Sequence, residues 1–218
     1  MYFLKRQIYG AFALGIVLVV SNCVAQEPAA APAAPTGEER VAKVESSVGD
    51  AAMAGHNSWM LTSSALVLFM TAPGLAMFYG GLVRKKNVLG VMMQCLFLMG
   101  LLTVVWALWG YSLSFGGDPS DSSTHHNPYI GNNQFLLRRN VGRDWNSASE
   151  DVDTPMEGSI PRLTHMLFQG MFFIITPALV CGAFAERMKF SAMVMFMIMW
   201  GTFVYCPLCH WVWDYGIL

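Results

Sequence analysis

The chain has 218 residues, 55% of them hydrophobic and only 12% charged, with a formal net charge of -1 and a mean hydropathy of +0.44. That balance is too apolar for a solvated domain and points to the bilayer. It leaves no basic patch for nucleic acid, and neither a glycine-rich phosphate loop nor a nucleophile with an evident base marks an enzyme.

The N-terminus opens with Lys5-Arg6, continues through an apolar run from Ile8 to Val20, and leaves it at Cys23-Val24-Ala25. A charged start, a short apolar core and a small-residue exit describe a secretory signal peptide over 1–25, cleaved after Ala25. A rival reading makes Cys23 a lipidated cysteine, although Asn22 in front of it fits that pattern poorly. In both readings the mature N-terminus is outside. Residues 26–56 form an extracytoplasmic linker. Gln26–Pro35 is an Ala/Pro-rich string, and Thr36–Asp50 is polar and charged with scattered valines, so little fixed structure is expected there.

From residue 57 to 218 the character changes. Asn57–Val83, Asn87–Gly117, Leu163–Ala185 and Phe190–Trp213 contain no Asp, Glu, Lys or Arg. Each is longer than the roughly 20 apolar residues that cross about 30 Å of hydrocarbon as a helix. The predicted spans run over about 58–83, 88–115, 162–185 and 190–213, giving an all-α, polytopic membrane helix bundle. Arg84-Lys85-Lys86 lies between the first two spans and Glu186-Arg187-Met188-Lys189 between the last two. Short connectors rich in Lys and Arg stay in the cytoplasm, so the long connector Asp118–Arg162, with no positive excess, is external. The expected location is the cell (inner) membrane, multi-pass.

Within the spans, Pro73-Gly74, Gly80-Gly81, Gly90, Gly100 and Gly110 are small residues suited to close helix packing. The 16 methionines read as adaptable filler rather than metal ligands. His125-His126 beside Asp121 reads as a solvated surface pair, because neighbouring side chains of an extended loop point apart; no metal site and no cofactor is expected. In the third span Phe168 and Phe172 stand four apart and share one helix face, with Gln169 beside them and Pro177 expected to bend the helix below. Cys206-Pro207-Leu208-Cys209-His210 fits the C-x-x-C-H pattern of covalent haem attachment, which is the reading from a different functional class. Its apolar flanks, Phe203-Val204-Tyr205 and Trp211-Val212-Trp213, leave little room for a haem.

Several motifs occur together: Phe78-Tyr79-Gly80-Gly81-Leu82-Val83-Arg84-Lys85-Lys86-Asn87, Trp109-Gly110-Tyr111-Ser112-Leu113-Ser114-Phe115-Gly116, Phe168-Gln169-Gly170-Met171-Phe172, Gly182-Ala183-Phe184-Ala185-Glu186-Arg187 and His210-Trp211-Val212-Trp213. The loop segments Tyr129-Ile130-Gly131-Asn132 and Gly158-Ser159-Ile160-Pro161 fall in register with them. In order and spacing, from about Trp59 to Trp213, the chain resembles the ammonium transporter (Amt/Mep/Rh) family.

That resemblance implies two inverted five-helix repeats followed by an eleventh helix, one pore per subunit and a homotrimer. It implies recruitment of ammonium at an outer aromatic vestibule, followed by passage of ammonia through a narrow apolar pore. Carried over by motif, Phe172 matches the outer-gate phenylalanine, Phe168 the aromatic above it, and Trp213 the vestibule tryptophan. Asp214-Tyr215-Gly216 departs from the glycines that usually follow that tryptophan. The pore histidines and the second repeat of the family would lie beyond Leu218, so this polypeptide alone is expected to be an incomplete, non-conducting fragment holding about four of eleven helices. A sensor of the same fold is the alternative role, with Asp214 deepening binding. The resemblance also suggests a PII-type regulator at the cytoplasmic connectors, alongside membrane lipid and ammonium or ammonia as partners.

Overall fold

The computed structural model describes residues 36–117, 127–146 and 150–218. The signal peptide, Cys23, the Ala/Pro-rich string and the His125-His126 pair lie outside the described residues. The chain divides into two units, Met1–Val48 and Gly49–Leu218.

In the first unit the described residues are helical from Gly37 onward, within α1 (Gly37–Phe69). This corrects the expectation of little fixed structure over Thr36–Asp50. The cause is a capping box: the Thr36 backbone N–H donates to Glu39 Oε2 at 2.9 Å, and the Glu39 N–H donates to Thr36 Oγ1 at 3.4 Å. Two backbone donors that a helix start leaves orphaned are thereby satisfied reciprocally. The Thr-x-x-Glu spacing carries that signal, and polar composition masks it.

Among the described residues four helical segments, Gly37–Leu82, Lys85–Phe115, Arg162–Phe184 and Phe190–Trp213, are long and apolar enough to cross a bilayer, so the chain is a membrane protein. The first ends in α1, a wider π-helical stretch at Met70–Leu75 and α2 (Ala76–Leu82). Pro73 sits inside the π-helical stretch, where a residue without an N–H cannot complete the regular ladder. The second span is α3 (Val88–Val105), a π-helical turn at Trp106–Gly110 and α4 (Tyr111–Phe115). The third is α5 (Arg162–Phe184), which stays helical through Pro177. The fourth is α6 (Phe190–Trp200), a π-helical turn at Gly201–Tyr205 and α7 (Cys206–Trp213).

No hydrophobic effect draws helices together inside lipid, so close approach and interhelical hydrogen bonds must do so. Both are present. A Cβ on Gly170 would lie 2.8 Å from Trp106 Cδ1 and 2.9 Å from its Nε1; only glycine lets the indole lie flat on the third span. That indole N–H then donates to the Met166 carbonyl at 2.9 Å. Gly182 makes the matching seat for the ring of Tyr79 from the first span, whose hydroxyl donates to the Leu179 carbonyl at 2.8 Å. Trp109 Nε1 donates to Thr202 Oγ1 at 3.0 Å and ties the second span to the fourth. Thr164 Oγ1 donates to Asn57 Oδ1 at 2.6 Å between the third and first. The seam is filled by Leu98, Leu102, Trp106, Phe173, Ile174 and Met197, all buried.

At the end carrying the basic connectors, Glu186 braces the two short loops. Its Oε1 accepts from Asn87 Nδ2 at 2.6 Å and from the Arg84 backbone N–H at 3.3 Å, and its Oε2 lies 3.5 Å from an Arg84 guanidinium nitrogen. The Asn87 amide, and after it the Arg84 groups, hold the Glu186 carboxyl below its ordinary range.

At the opposite end the long connector folds onto the spans. Two short antiparallel hairpins form, β1 (Asp144–Asn146) with β2 (Asp151–Asp153) and β3 (Met156–Glu157) with β4 (Ile160–Pro161). Arg162 gathers this region: its guanidinium donates to Glu157 Oε2, the Asn140 carbonyl and the Met156 carbonyl, and its Cζ lies 4.9 Å from the Phe135 ring centroid. Ser112 Oγ donates to the Asn132 carbonyl at 2.7 Å while accepting from the Phe135 N–H at 3.1 Å.

Candidate functional site

Phe168 and Phe172 lie one helical turn apart in α5, and the structure brings their rings together edge to face, with centroids 5.1 Å apart and planes at 69°. That geometry directs the positive edge of one ring at the negative face of the other. From Arg162 at the loop end, ten positions of helix at about 1.5 Å each place Phe172 about 15 Å inward, with Phe168 one turn above it. Phe172 is 37% exposed.

Trp213 closes α7 at the loop end and is 73% exposed. It forms no ring pair with Phe168 or Phe172 among the described residues. Trp213 thus ends its helix at the loop end, whereas Phe172 lies ten positions into α5. A groove of about 360 Å³ between the second and third spans is lined by Trp106, Met166, Leu167, Gly170 and Met171, with Arg138 at its edge, and by none of those three.

Beneath the connector lies an aromatic cluster that periodicity did not single out. The Tyr111 hydroxyl is 3.1 Å from His165 Nδ1, His165 Nε2 is 3.5 Å from the Gln169 amide nitrogen, and the Phe115 and His165 rings meet at 4.8 Å and 85°. Tyr111 also packs on Phe135, with centroids 5.4 Å apart. The cluster links Gln169, beside the phenylalanine pair, to the end of the second span. The only sequence signal was the run Tyr111-Ser112-Leu113-Ser114-Phe115, whose aromatics stand four apart.

His210 has a structural position. It is fully buried, its Nδ1 is 2.9 Å from Asp214 Oδ2, and its Nε2 is 2.9 Å from the Asn127 carbonyl oxygen. Trp211 Nε1 donates to the Tyr129 carbonyl at 2.7 Å, so this end of α7 fastens the connector. The carboxylate of Asp214 is thus turned to His210. Cys206 and Cys209 are also buried. Thioether formation requires both thiols to reach the vinyl groups of a haem, and here packing holds both thiols inside the bundle.

A model described as Ammonium Transporter Family matches residues 58–218. Over 161 residues the chain is 45% identical to an ammonium transporter of Mycobacterium tuberculosis (strain ATCC 25618 / H37Rv), covering 74% of this chain and 34% of that protein. It is 40% identical over 165 residues to an ammonium transporter of Aquifex aeolicus (strain VF5), covering 75% and 35%. Among solved structures, Saccharomyces cerevisiae Mep2 aligns with a TM-score of 0.58 and 31% identity over 74% of this chain and 32% of that one. Candida albicans Mep2 aligns with a TM-score of 0.58 at 30% identity. The chain spans about a third of the length of the relatives it matches. With its four membrane-capable helices and this match over the whole of residues 58–218, the chain belongs to the ammonium transporter family.

Proposed function

We propose that residues 58–218 supply the outer ammonium-recruiting part of an ammonium transporter, with Trp213 at the rim of the vestibule and Phe168 and Phe172 at its floor. The observation that carries this reading is the edge-to-face Phe168–Phe172 pair, partly exposed about 15 Å inside the loop end. A ring face attracts a small cation by about 0.5–2 kcal/mol, enough to favour ammonium over water and too little to hold it. Carrying the charge onward through hydrocarbon costs more than carrying neutral ammonia, so deprotonation precedes or accompanies passage.

These four spans by themselves do not conduct. Their shared seam is packed with Leu98, Leu102, Phe173 and Met197, all fully buried, which supports that reading. The same family reading supports a homotrimer, a mature N-terminus outside the cell membrane, and a PII-type regulator at the end where Arg84, Lys85, Lys86, Arg187 and Lys189 stand beside the Glu186 brace.

A chimera tests the site. Residues 58–218 replace the matching segment of the M. tuberculosis relative, and ammonium uptake is measured in proteoliposomes. Uptake by the chimera, its loss on Phe172→Ala and a raised half-saturation concentration on Trp213→Ala are expected. Unchanged uptake in both variants would overturn the assignment, as would saturable uptake by this chain alone for its non-conducting state.

A further inference from the structure

The described part of the first unit lies ahead of the family-matched residues 58–218 and serves no role in the site. It is nevertheless a helix with an organised face. Val41, Val44 and Val48 recur at spacings of three and four and are 58%, 62% and 63% exposed. Three β-branched apolar side chains in one exposed row are costly to leave in water. Spacings of three and four are the a and d positions of a heptad seam, which buries such a row against a parallel helix.

With Val41 and Val48 at a and Val44 at d, Arg40 falls at g and Glu45 at the following e, five residues on. In a parallel pair the g residue of one helix lies beside the following e residue of its partner, so Arg40 of each copy meets Glu45 of the other. The opposite face carries Lys43 and Ser46, with the small Ala42 as its apolar member. Copies of one membrane protein insert with the same orientation, so their helices are presented in parallel. Tethering in one membrane also raises their effective concentration, which compensates for a short seam.

We propose that the Val41–Val44–Val48 face is a self-association surface, seated on the same face of a second copy of this chain in a parallel coiled coil with reciprocal Arg40–Glu45 pairs.

Disulfide trapping in membranes tests it, using the whole chain with Cys23→Ser so that the remaining cysteines are buried ones. On mild oxidation, Val44→Cys on the seam yields a covalent dimer in roughly tenfold greater amount than Ser46→Cys on the far face, as heptad geometry requires. Arg40→Glu lowers the Val44→Cys yield severalfold, and Arg40→Glu with Glu45→Arg restores it. Equal yields at both positions, or dimer at neither, would show the valine face resting on lipid or on another protein and would overturn the proposal. Failure of the charge exchange to restore the yield would overturn the parallel register.

Discussion

Replacing Gly170 with alanine places a methyl group 2.8 Å from Trp106 Cδ1 and 2.9 Å from Nε1, closer than carbon contacts tolerate. The indole has no flexible end to withdraw, and its N–H is committed to the Met166 carbonyl at 2.9 Å. Overpacking of this kind costs about 1–3 kcal/mol. Displacing the ring also weakens an interhelical hydrogen bond worth about 0.6 kcal/mol in membrane proteins. Against this, alanine in a helix gains up to about 1 kcal/mol over glycine. The net expectation is a destabilisation of about 1–2 kcal/mol by those same terms. The decisive comparison is the same substitution in a Trp106→Ala background, where the methyl faces vacated space and only the propensity gain remains, so Gly170→Ala becomes neutral or stabilising. Reversible unfolding in mixed detergent micelles, followed by near-UV circular dichroism, measures both increments. Equal destabilisation in the two backgrounds would refute the reasoning, since it would show that Trp106 is not what makes glycine necessary.

Two further outcomes follow from the ends of the bundle. Glu186 is held below its ordinary value of 4.5 by the Asn87 amide and then by Arg84, so its brace is fully present above that value and is lost as the pH falls through the depressed one. Hydrogen exchange in Arg84–Asn87 should therefore accelerate in the acid range, beyond its intrinsic pH dependence, in the natural chain and not in Glu186→Gln, where the brace is already weakened; identical profiles would remove the ionised carboxylate from the explanation. At the other end of the chain, Thr36→Ala should cost about 1 kcal/mol of local helix stability by loss of the cap, seen as faster exchange over the first turn of α1 with the membrane spans unchanged.

The four spans were legible because the bilayer imposes a one-dimensional rule: charge-free runs longer than about 20 residues in Asn57–Val83, Asn87–Gly117, Leu163–Ala185 and Phe190–Trp213 need no knowledge of neighbours. The Phe168–Phe172 pairing was equally visible, since positions four apart on a helix share a face whatever surrounds them. The helix over Thr36–Val48 was misjudged from its polarity, although its capping box was written in four consecutive residues. The haem-type motif shows what spacing leaves out: Cys206, Cys209 and His210 match it in sequence, and their burial is visible only in the fold.

By itself, then, the sequence determined what depends on local order: span number and length, the basic connectors, the aromatic face of the third span and the family motifs. Tertiary structure alone decided which residues meet across the spans. Trp106 on Gly170, Tyr79 on Gly182, Glu186 on Asn87 and Arg84, and His210 between Asp214 and Asn127 join positions 64 to 103 apart, the Asp214 contact excepted. In lipid, side-chain hydropathy is nearly the same on every face of a helix, so apolar pattern does not name a partner. The choice falls to shape and to the few polar groups that must find one another, and both exist only once the helices are side by side.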